Sequence, residues 1–241
     1  MKTYEQEVYE ELKIWRRNLL KKSGFITQLS KKTQMKINGL IPERAHRIIT
    51  ESIKNMVKAT LIGSNITTNK QQSAGLSLIE KDQLLKEKLT SYRKTAVIEG
   101  AGTGAGGFFL GLADFPMLLS IKMKFLFEAA AIYGFDTRQY EERLFILHVF
   151  QLAFSSETKR KETFYILENW ESEQEKLADM DWRVFQQEYR DYMDLVKLLQ
   201  LVPGFGAIVG AYANHNLLDT LGETTMNAYR LRLLMTQPLD Y

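Results

Sequence analysis

The fold is decided by the stretch EGAGTGAGGFFLGLADFP, residues 99–116, which combines regularly spaced glycines with an apolar run. On an α-helix, glycines at steps of four, three and four lie on one stripe that has no side chains, so another helix backbone can approach closely. We predict a tightly packed helical pair here, with a cap and a first-turn proline on the helix that follows. The residues concerned are Gly100, Gly104, Gly107, Gly111, Asp114 and Pro116.

A shorter version of the same pattern lies near the C-terminus, in LVPGFGAIVGAYANHN, residues 201–216. Gly206 and Gly210 again lie four residues apart, and Pro203 precedes them. We interpret this stretch as a second helical element that packs closely against its neighbours.

Apolar residues elsewhere recur with the spacing of helices. Period-two alternation does not persist for six residues anywhere in the chain, so the predicted class is all-α. The segments 157–177 and 181–201 are each predicted to be one helix. Near the N-terminus the apolar positions advance by three or four and predict an amphipathic helix; they are Tyr4, Val8, Leu12, Trp15 and Leu19.

The chain divides by composition into three parts. Residues 1–63 read as amphipathic and basic N-terminal helices, residues 64–75 as a polar loop, and residues 76–241 as a helical core. With 241 residues and 45% hydrophobic content, the chain is long enough for one sizeable core. We therefore expect the N-terminal helices and the core to form one domain.

Two segments, 100–121 and 198–218, approach the length and apolar character of a membrane span. In the first, the apolar side chains contribute about −3 to −4 kcal/mol to insertion, whereas Asp114 costs about 2.5 to 3.5 kcal/mol. The sum is near zero, so we favour buried helical hairpins and keep spanning or re-entrant segments as the alternative. The acidic N-terminus lacks the apolar core of a signal peptide, and we expect a cytoplasmic protein at the inner face of the cell membrane.

The basic residues are concentrated near the N-terminus. Residues 12–42 contain eight lysines and arginines and no acid, although the whole chain carries a net charge of only +3. No recognition motif accompanies them, so we expect no nucleic-acid partner and retain a solvated face and contact with an anionic membrane surface as interpretations. The candidate contact residues are Arg16, Arg17, Lys21, Lys22, Lys31, Lys32 and Lys36.

Signals for enzymatic chemistry are weak. Gly102, Gly104 and Gly107 match the G-x-G-x-x-G fingerprint of dinucleotide-binding proteins, but no βαβ series follows them. The three histidines are far apart in sequence, and the chain has no cysteine to supply thiolate ligands. We expect a non-enzymatic protein with no catalytic residue, no cofactor and no metal, and treat a nucleotide-binding enzyme as the least favoured alternative.

Four segments together resemble the bacterial EcsC family. They are IPERAHRII (41–49), AVIEGAGTGAGGFFLGLADFPMLLSIKMKFLFEAAAIYGFD (96–136), EERLFILHVF (141–150) and the C-terminal LVPGFGAIVGAYANHNLLDTLGETTMNAYRLRLL (201–234). The family is named after the third product of an operon that also encodes an ABC transporter linked to secretion. The resemblance implies an accessory protein at the membrane, with lipid and ABC transporter subunits as candidate partners. A lipid-binding or lipid-transfer protein is the alternative.

Overall fold

A computed structural model of the protein describes residues 3–21, 43–63, 75–103, 112–156, 159–180, 182–193 and 217–236. Within these ranges the chain is helical, with a single isolated bridge between Ser155 and Met193 in place of any strand. The all-α prediction is therefore confirmed. The helices are α1 (Tyr4–Leu20), α2 (Glu43–Ile62), α3 (Leu78–Thr103), α4 (Phe115–Tyr133), α5 (Tyr140–Phe154), α6 (Arg160–Glu168), α7 (Trp170–Ala178), α8 (Trp182–Tyr192) and α9 (Leu217–Thr236).

The centre of the fold is the pair α4 and α5, whose sequences are apolar on nearly all sides. Such helices can only be accommodated in the interior, and most side chains of both are buried. Gly134 ends α4 with φ of +96°, a left-handed conformation that suits glycine, and its N–H caps the carbonyls of Ala130 and Ala131. The short turn after Gly134 leads directly into α5.

The other helices surround this pair. α2 and α3 pack against α4, whereas α6, α7 and α9 pack against α5, and α9 also contacts α3 and α4. α1 lies on α9 and α6, and α8 on α2. The sequence of α2 explains how it packs against the central pair, because Ile49, Ile53 and Val57 recur every four residues and form its buried side.

Local sequence signals account for several of the helix boundaries. α1 begins with a capping box in which Thr3 and Gln6 exchange side-chain and backbone hydrogen bonds. α2 ends at Ile62, where Gly63 adopts φ of +75°. α3 runs into the glycine-rich stretch as far as Thr103, which places the backbone of Gly100 in a helix.

Three predictions about local structure are wrong. The segment 181–201 is not one helix, since α8 ends at Tyr192 and Met193 forms the isolated bridge with Ser155. Asp114 occupies the N-cap position of α4 but makes no capping hydrogen bond through its side chain, because its backbone is in the αR region instead of the extended conformation of an N-cap. The segment 157–177 is not one helix, since the chain departs from helical geometry at Asn169. There the side-chain amide donates to the carbonyl of Tyr165, four residues earlier, and α6 ends.

The side chain of Leu89 on α3 closely approaches the backbone of Gly222 on α9. This contact lies outside both predicted glycine stripes. A Cβ built at Gly222 would lie 2.5 Å from Cδ2 and 2.9 Å from Cδ1 of Leu89 on α3. Leu89 is itself buried, so its methyl groups have little room to move aside. The contact between α3 and α9 therefore depends on the missing side chain.

None of the described helices is both long enough and apolar enough to cross a membrane. The segment 100–121 is described only in part, and most of 198–218 lies outside the described residues.

We predict that Gly222→Leu lowers the free energy of unfolding by about 1–3 kcal/mol, because the new side chain overlaps Leu89 in a packed interior. Urea denaturation followed by circular dichroism measures the change. Leu89→Ala in the same chain makes room, so the double variant should lose less than the sum of the two single variants. Strictly additive losses would contradict the contact.

Candidate functional site

The glycine and proline residues predicted to form close helix contacts are only partly described. Gly104, Gly107 and Gly111 lie outside the described residues, as do Pro203, Gly206 and Gly210. Of the hairpin residues, Asp114 is half-buried and Pro116 is exposed in the first turn of α4. The close packing of the two glycine stripes stays a prediction.

The basic residues of α1 fall into two groups. Arg16 is engaged within the protein, because its Nε and Nη2 donate to the carboxylate of Glu168 on α6 at 2.5 and 3.3 Å. Arg17 and Lys21 are exposed, and no hydrogen bond or ion pair joins them to another described residue. Lys22, Lys31, Lys32 and Lys36 lie outside the described residues.

Arg17 and Lys21 share the outer face of α1 with Ile14, since the three follow one another at steps of three and four. Ile14 is 51% exposed, although it is a large apolar residue. The opposite face of the helix is buried through Val8 and Leu12. The outer face of α1 is therefore basic in its C-terminal half, where Arg17 and Lys21 follow the exposed Ile14, whereas Glu7 and Glu10 are exposed on the same face nearer the N-terminus.

A cluster of ionic and phenolic groups, which we call the Asp82 cluster, is buried where α1, α3, α4 and α9 meet. The carboxylate of Asp82 is fully buried and accepts hydrogen bonds from Tyr4 Oη at 2.7 Å and Tyr133 Oη at 2.5 Å. Arg230 donates to the same carboxylate from Nε and Nη2, at 2.9 and 2.8 Å. Nη1 of Arg230 also donates to Glu11 at 2.9 Å.

The electrostatics of the Asp82 cluster keep Arg230 charged and both phenols protonated. Burial by itself would lower the pKa of Arg230. The hydrogen bond to Asp82 and the charge of Asp82 outweigh this effect, so the pKa of Arg230 is raised overall. Burial and the hydrogen bond to Asp82 raise the pKa of Tyr4 to about 12. The pKa of Tyr133 is raised further, first by burial and then by the charge of Asp82. Both phenols stay protonated at neutral pH and remain donors.

A second group, the Glu142 cluster, lies beside the first. The Glu142 carboxylate accepts from Tyr229 Oη at 2.7 Å and from Arg232 Nη1 at 2.5 Å. The guanidinium of Arg232 also lies over the rings of Phe135 and Phe145, 4.0 and 4.6 Å from their centroids. Burial raises the pKa of Glu142, and Arg232 and Tyr229 counteract this shift by stabilising the carboxylate.

The two clusters are joined by stacked rings. Tyr133 of the Asp82 cluster and Tyr229 of the Glu142 cluster lie with centroids 5.2 Å apart and an interplanar angle of 11°. Arg230 and Arg232 both come from α9, and each reaches a different carboxylate. Both carboxylates are thus occupied by donors of the protein itself, so the arrangement is suited to holding helices together.

His148 on α5 is a buried titratable group that lies among aromatic side chains. Its ring is buried between Trp170 and Phe185, with centroid distances of 5.9 and 5.6 Å, and Nδ1 lies 2.8 Å from the carbonyl of Leu144. Burial lowers the pKa of His148 to about 4, although the hydrogen bond to Leu144 opposes this shift. Within the described part of the chain, no group of three or more His, Asp or Glu side chains is placed to hold a metal ion.

Sequence reasoning did not identify Asp82 and Glu142 as partners of the two arginines. One signal was available, because Asp82 precedes Leu85 and Leu89 at steps of three and four and therefore lies on the apolar face of α3. A carboxylate on a buried face needs a partner. The identity of that partner could not be inferred, because Arg230 is 148 residues away in sequence.

Comparisons with known proteins agree with the sequence resemblance. The model of the EcsC protein family matches residues 6–234. The chain is 53% identical over 232 residues to "Protein EcsC" of Bacillus subtilis (strain 168), covering 96% of this chain and 97% of that protein. It is also 26% identical over 249 residues to "Uncharacterized protein YdbA" of the same strain, covering 94% and 91%. No solved structure matches the chain.

We predict that Arg230→Met destabilises the protein by about 3–5 kcal/mol, because it leaves the Asp82 carboxylate buried without its counter-ion. Urea denaturation at neutral pH measures the loss. Adding Asp82→Asn removes the uncompensated charge and should recover part of the stability. Arg138→Met is the control, because the ion pair of Arg138 with Asp136 is at the surface. The midpoint of its urea denaturation should hardly move. Equal midpoints for Arg230→Met and Arg138→Met would contradict the role of the cluster.

We also predict a pH dependence from His148. Its folded pKa is below the unfolded value, so the stability that comes from a neutral ring is fully present above pH 6.5 and is lost as the pH falls toward 4. The loss amounts to roughly 3 kcal/mol. His148→Phe keeps an aromatic ring and should flatten this part of the curve of unfolding free energy against pH. Parallel curves for the two proteins below pH 6 would refute the assignment.

Proposed function

The chain belongs to the EcsC protein family, and from this premise we propose that it is a non-enzymatic accessory protein which binds the inner face of the cell membrane through the basic outer face of α1. An accessory role beside an ABC transporter, which the family resemblance implies, is part of the proposal. The observation that carries it is the exposed combination of Ile14, Arg17 and Lys21 on a helix whose other side is anchored in the core.

The anchoring of α1 supports this proposal because it keeps the basic face turned outward. Tyr4 and Glu11 contact the Asp82 cluster, and Arg16 contacts Glu168 further along the helix. These contacts hold α1 at points along its length and leave Arg17 and Lys21 to solvent. A cationic face held in this way can meet a surface without unfolding or rotation of the helix.

The strength of such attachment follows from the number of cations. Each lysine or arginine near an anionic leaflet contributes about 1 kcal/mol, so Arg17 and Lys21 supply about 2 kcal/mol at low ionic strength, and any four of the seven candidate residues would supply up to ~4 kcal/mol. Attachment of this size is reversible and weakens as salt screens the charges. It is suited to a peripheral protein that associates with the membrane and leaves it again.

The non-enzymatic part of the proposal is supported by the state of the buried acids. A general base or acid needs an atom that can reach a substrate. The carboxylate oxygens of Asp82 and Glu142 instead accept from tyrosine and arginine donors in the interior. We therefore assign both acids to the scaffold.

We predict that the full chain floats with vesicles containing phosphatidylglycerol at low salt, and that about 0.5 M salt releases it. The double variant Arg17→Gln/Lys21→Gln should bind about 10- to 30-fold more weakly, since two cations leave the surface. Lys86→Gln/Lys161→Gln is the matched control, because it also removes two exposed cations but from α3 and α6. Failure of the unaltered chain to float at low salt would refute the proposal.

A further inference from the structure

The side of α2 that faces away from the core is basic along most of its length. Arg44, Arg47 and Lys58 are exposed, and together with Ile62 they fall within an arc of roughly 60° around the helix. We call these four residues the α2 outer face. From Arg44 to Ile62 it extends about 27 Å at 1.5 Å per residue.

Acidic side chains on α2 neutralise only part of this charge. The helix carries Glu43 in its first turn and Glu51 in its middle. The carboxylate of Glu51 lies 4.0 Å from Nζ of Lys54, which adds a further base to the same side of the helix. Glu51 lies within the arc of the α2 outer face, so the excess of cations is found toward its two ends, at Arg44 and Arg47 and at Lys54 and Lys58.

Ile62 adds an apolar end to the α2 outer face. It is 67% exposed, more than any other large apolar side chain among the described residues. Ile14 on α1 is likewise an exposed isoleucine beside exposed bases. A face that combines cations with an exposed apolar side chain has the chemistry that suits the boundary between phospholipid headgroups and acyl chains.

The charge of α2 continues that of α1 along the sequence. From Lys13 to Lys58 there are twelve lysines and arginines but only the two acids of α2. The outer side of α7 is different, because Glu171, Glu175 and Asp179 are exposed there. An anionic surface would attract the first region and repel the second, so it would orient the molecule as well as bind it.

We propose that the α2 outer face is a second membrane-contact surface, complementary to a leaflet of anionic phospholipid. This inference rests on the proposed function and extends it from one helix to two. Contact through α2 adds three cations and one apolar side chain to the cations that α1 supplies, so loss of either face should weaken binding.

The test is binding of the full chain to vesicles of phosphatidylglycerol and phosphatidylcholine at low salt. Arg47→Gln/Lys58→Gln should weaken binding about 10- to 30-fold, comparable to Arg17→Gln/Lys21→Gln, while Lys86→Gln/Lys161→Gln should stay close to the unaltered chain. The four proteins should have the same thermal midpoint, because all the substituted side chains are exposed.

A fluorescent label reports the position of the α2 outer face directly, because the chain has no native cysteine to compete for it. A label on Ile62→Cys should shift its emission to shorter wavelength with anionic vesicles and stay unchanged with phosphatidylcholine alone. The same label on Gln83→Cys, an exposed position on α3, is the control and should not respond.

Two results separate this inference from the proposed function. If the unaltered chain binds and Arg17→Gln/Lys21→Gln is weakened while Arg47→Gln/Lys58→Gln is not, the second surface is wrong and the first stands. If the unaltered chain does not bind at all, the proposed function fails and the inference fails with it. A light-scattering mass of two chains that falls to one in Arg47→Gln/Lys58→Gln would also overturn the inference, because the face would then bind a second copy.

Discussion

The buried charge of Asp82 is the constraint on which much of this structure depends. A carboxylate removed from water is costly unless donors surround it, and the donors come from three other helices. Tyr4 lies on α1, Tyr133 on α4 and Arg230 on α9. A single carboxylate therefore holds α1 and α9, the first and the last of the described helices, against α4 at the centre of the fold.

This arrangement specifies the fold more than it stabilises it. A buried ion pair recovers little more than its desolvation cost, and an apolar replacement of the same shape can be equally stable. What an ion pair adds is a requirement for one set of neighbours. Arg230 and Arg232 on α9 each have their own carboxylate, so a rotation or a shift of α9 would leave two buried acids without their arginines. The apolar core by itself would penalise such a shift less.

The same contacts connect the interior to the proposed function. α1 is held by polar groups in the core and by Arg16 at the surface, so its remaining bases point away from the protein. α2 is held by the apolar side formed by Ile49, Ile53 and Val57, and it presents Arg47 and Lys58 on the opposite side. In both helices one face belongs to the core and the opposite face carries exposed bases, together with Glu7 and Glu10 on α1 and Glu51 on α2.

The sequence alone determined the fold class and much of the helix pattern, because these depend on local spacing. The apolar period predicted α1, and glycine marked the ends of α2 and α4 at Gly63 and Gly134. The sequence also determined the family, through its glycine-rich and C-terminal segments. Local pattern was less reliable at Asp114, where the backbone conformation prevented the expected cap, and at Asn169, where a side chain competed with the helix.

Only the tertiary structure decided which residues meet. The pairs Asp82 with Arg230 and Glu142 with Arg232 join residues 148 and 90 positions apart, and no spacing rule relates such distances to contact. The tertiary structure also decided that Gly222 lies against Leu89. It decided as well that Arg16 pairs with Glu168 while Arg17 is exposed. The physical reason is the same in each case: periodicity records which side of a helix is apolar, whereas partners across the core depend on how separate helices pack in three dimensions.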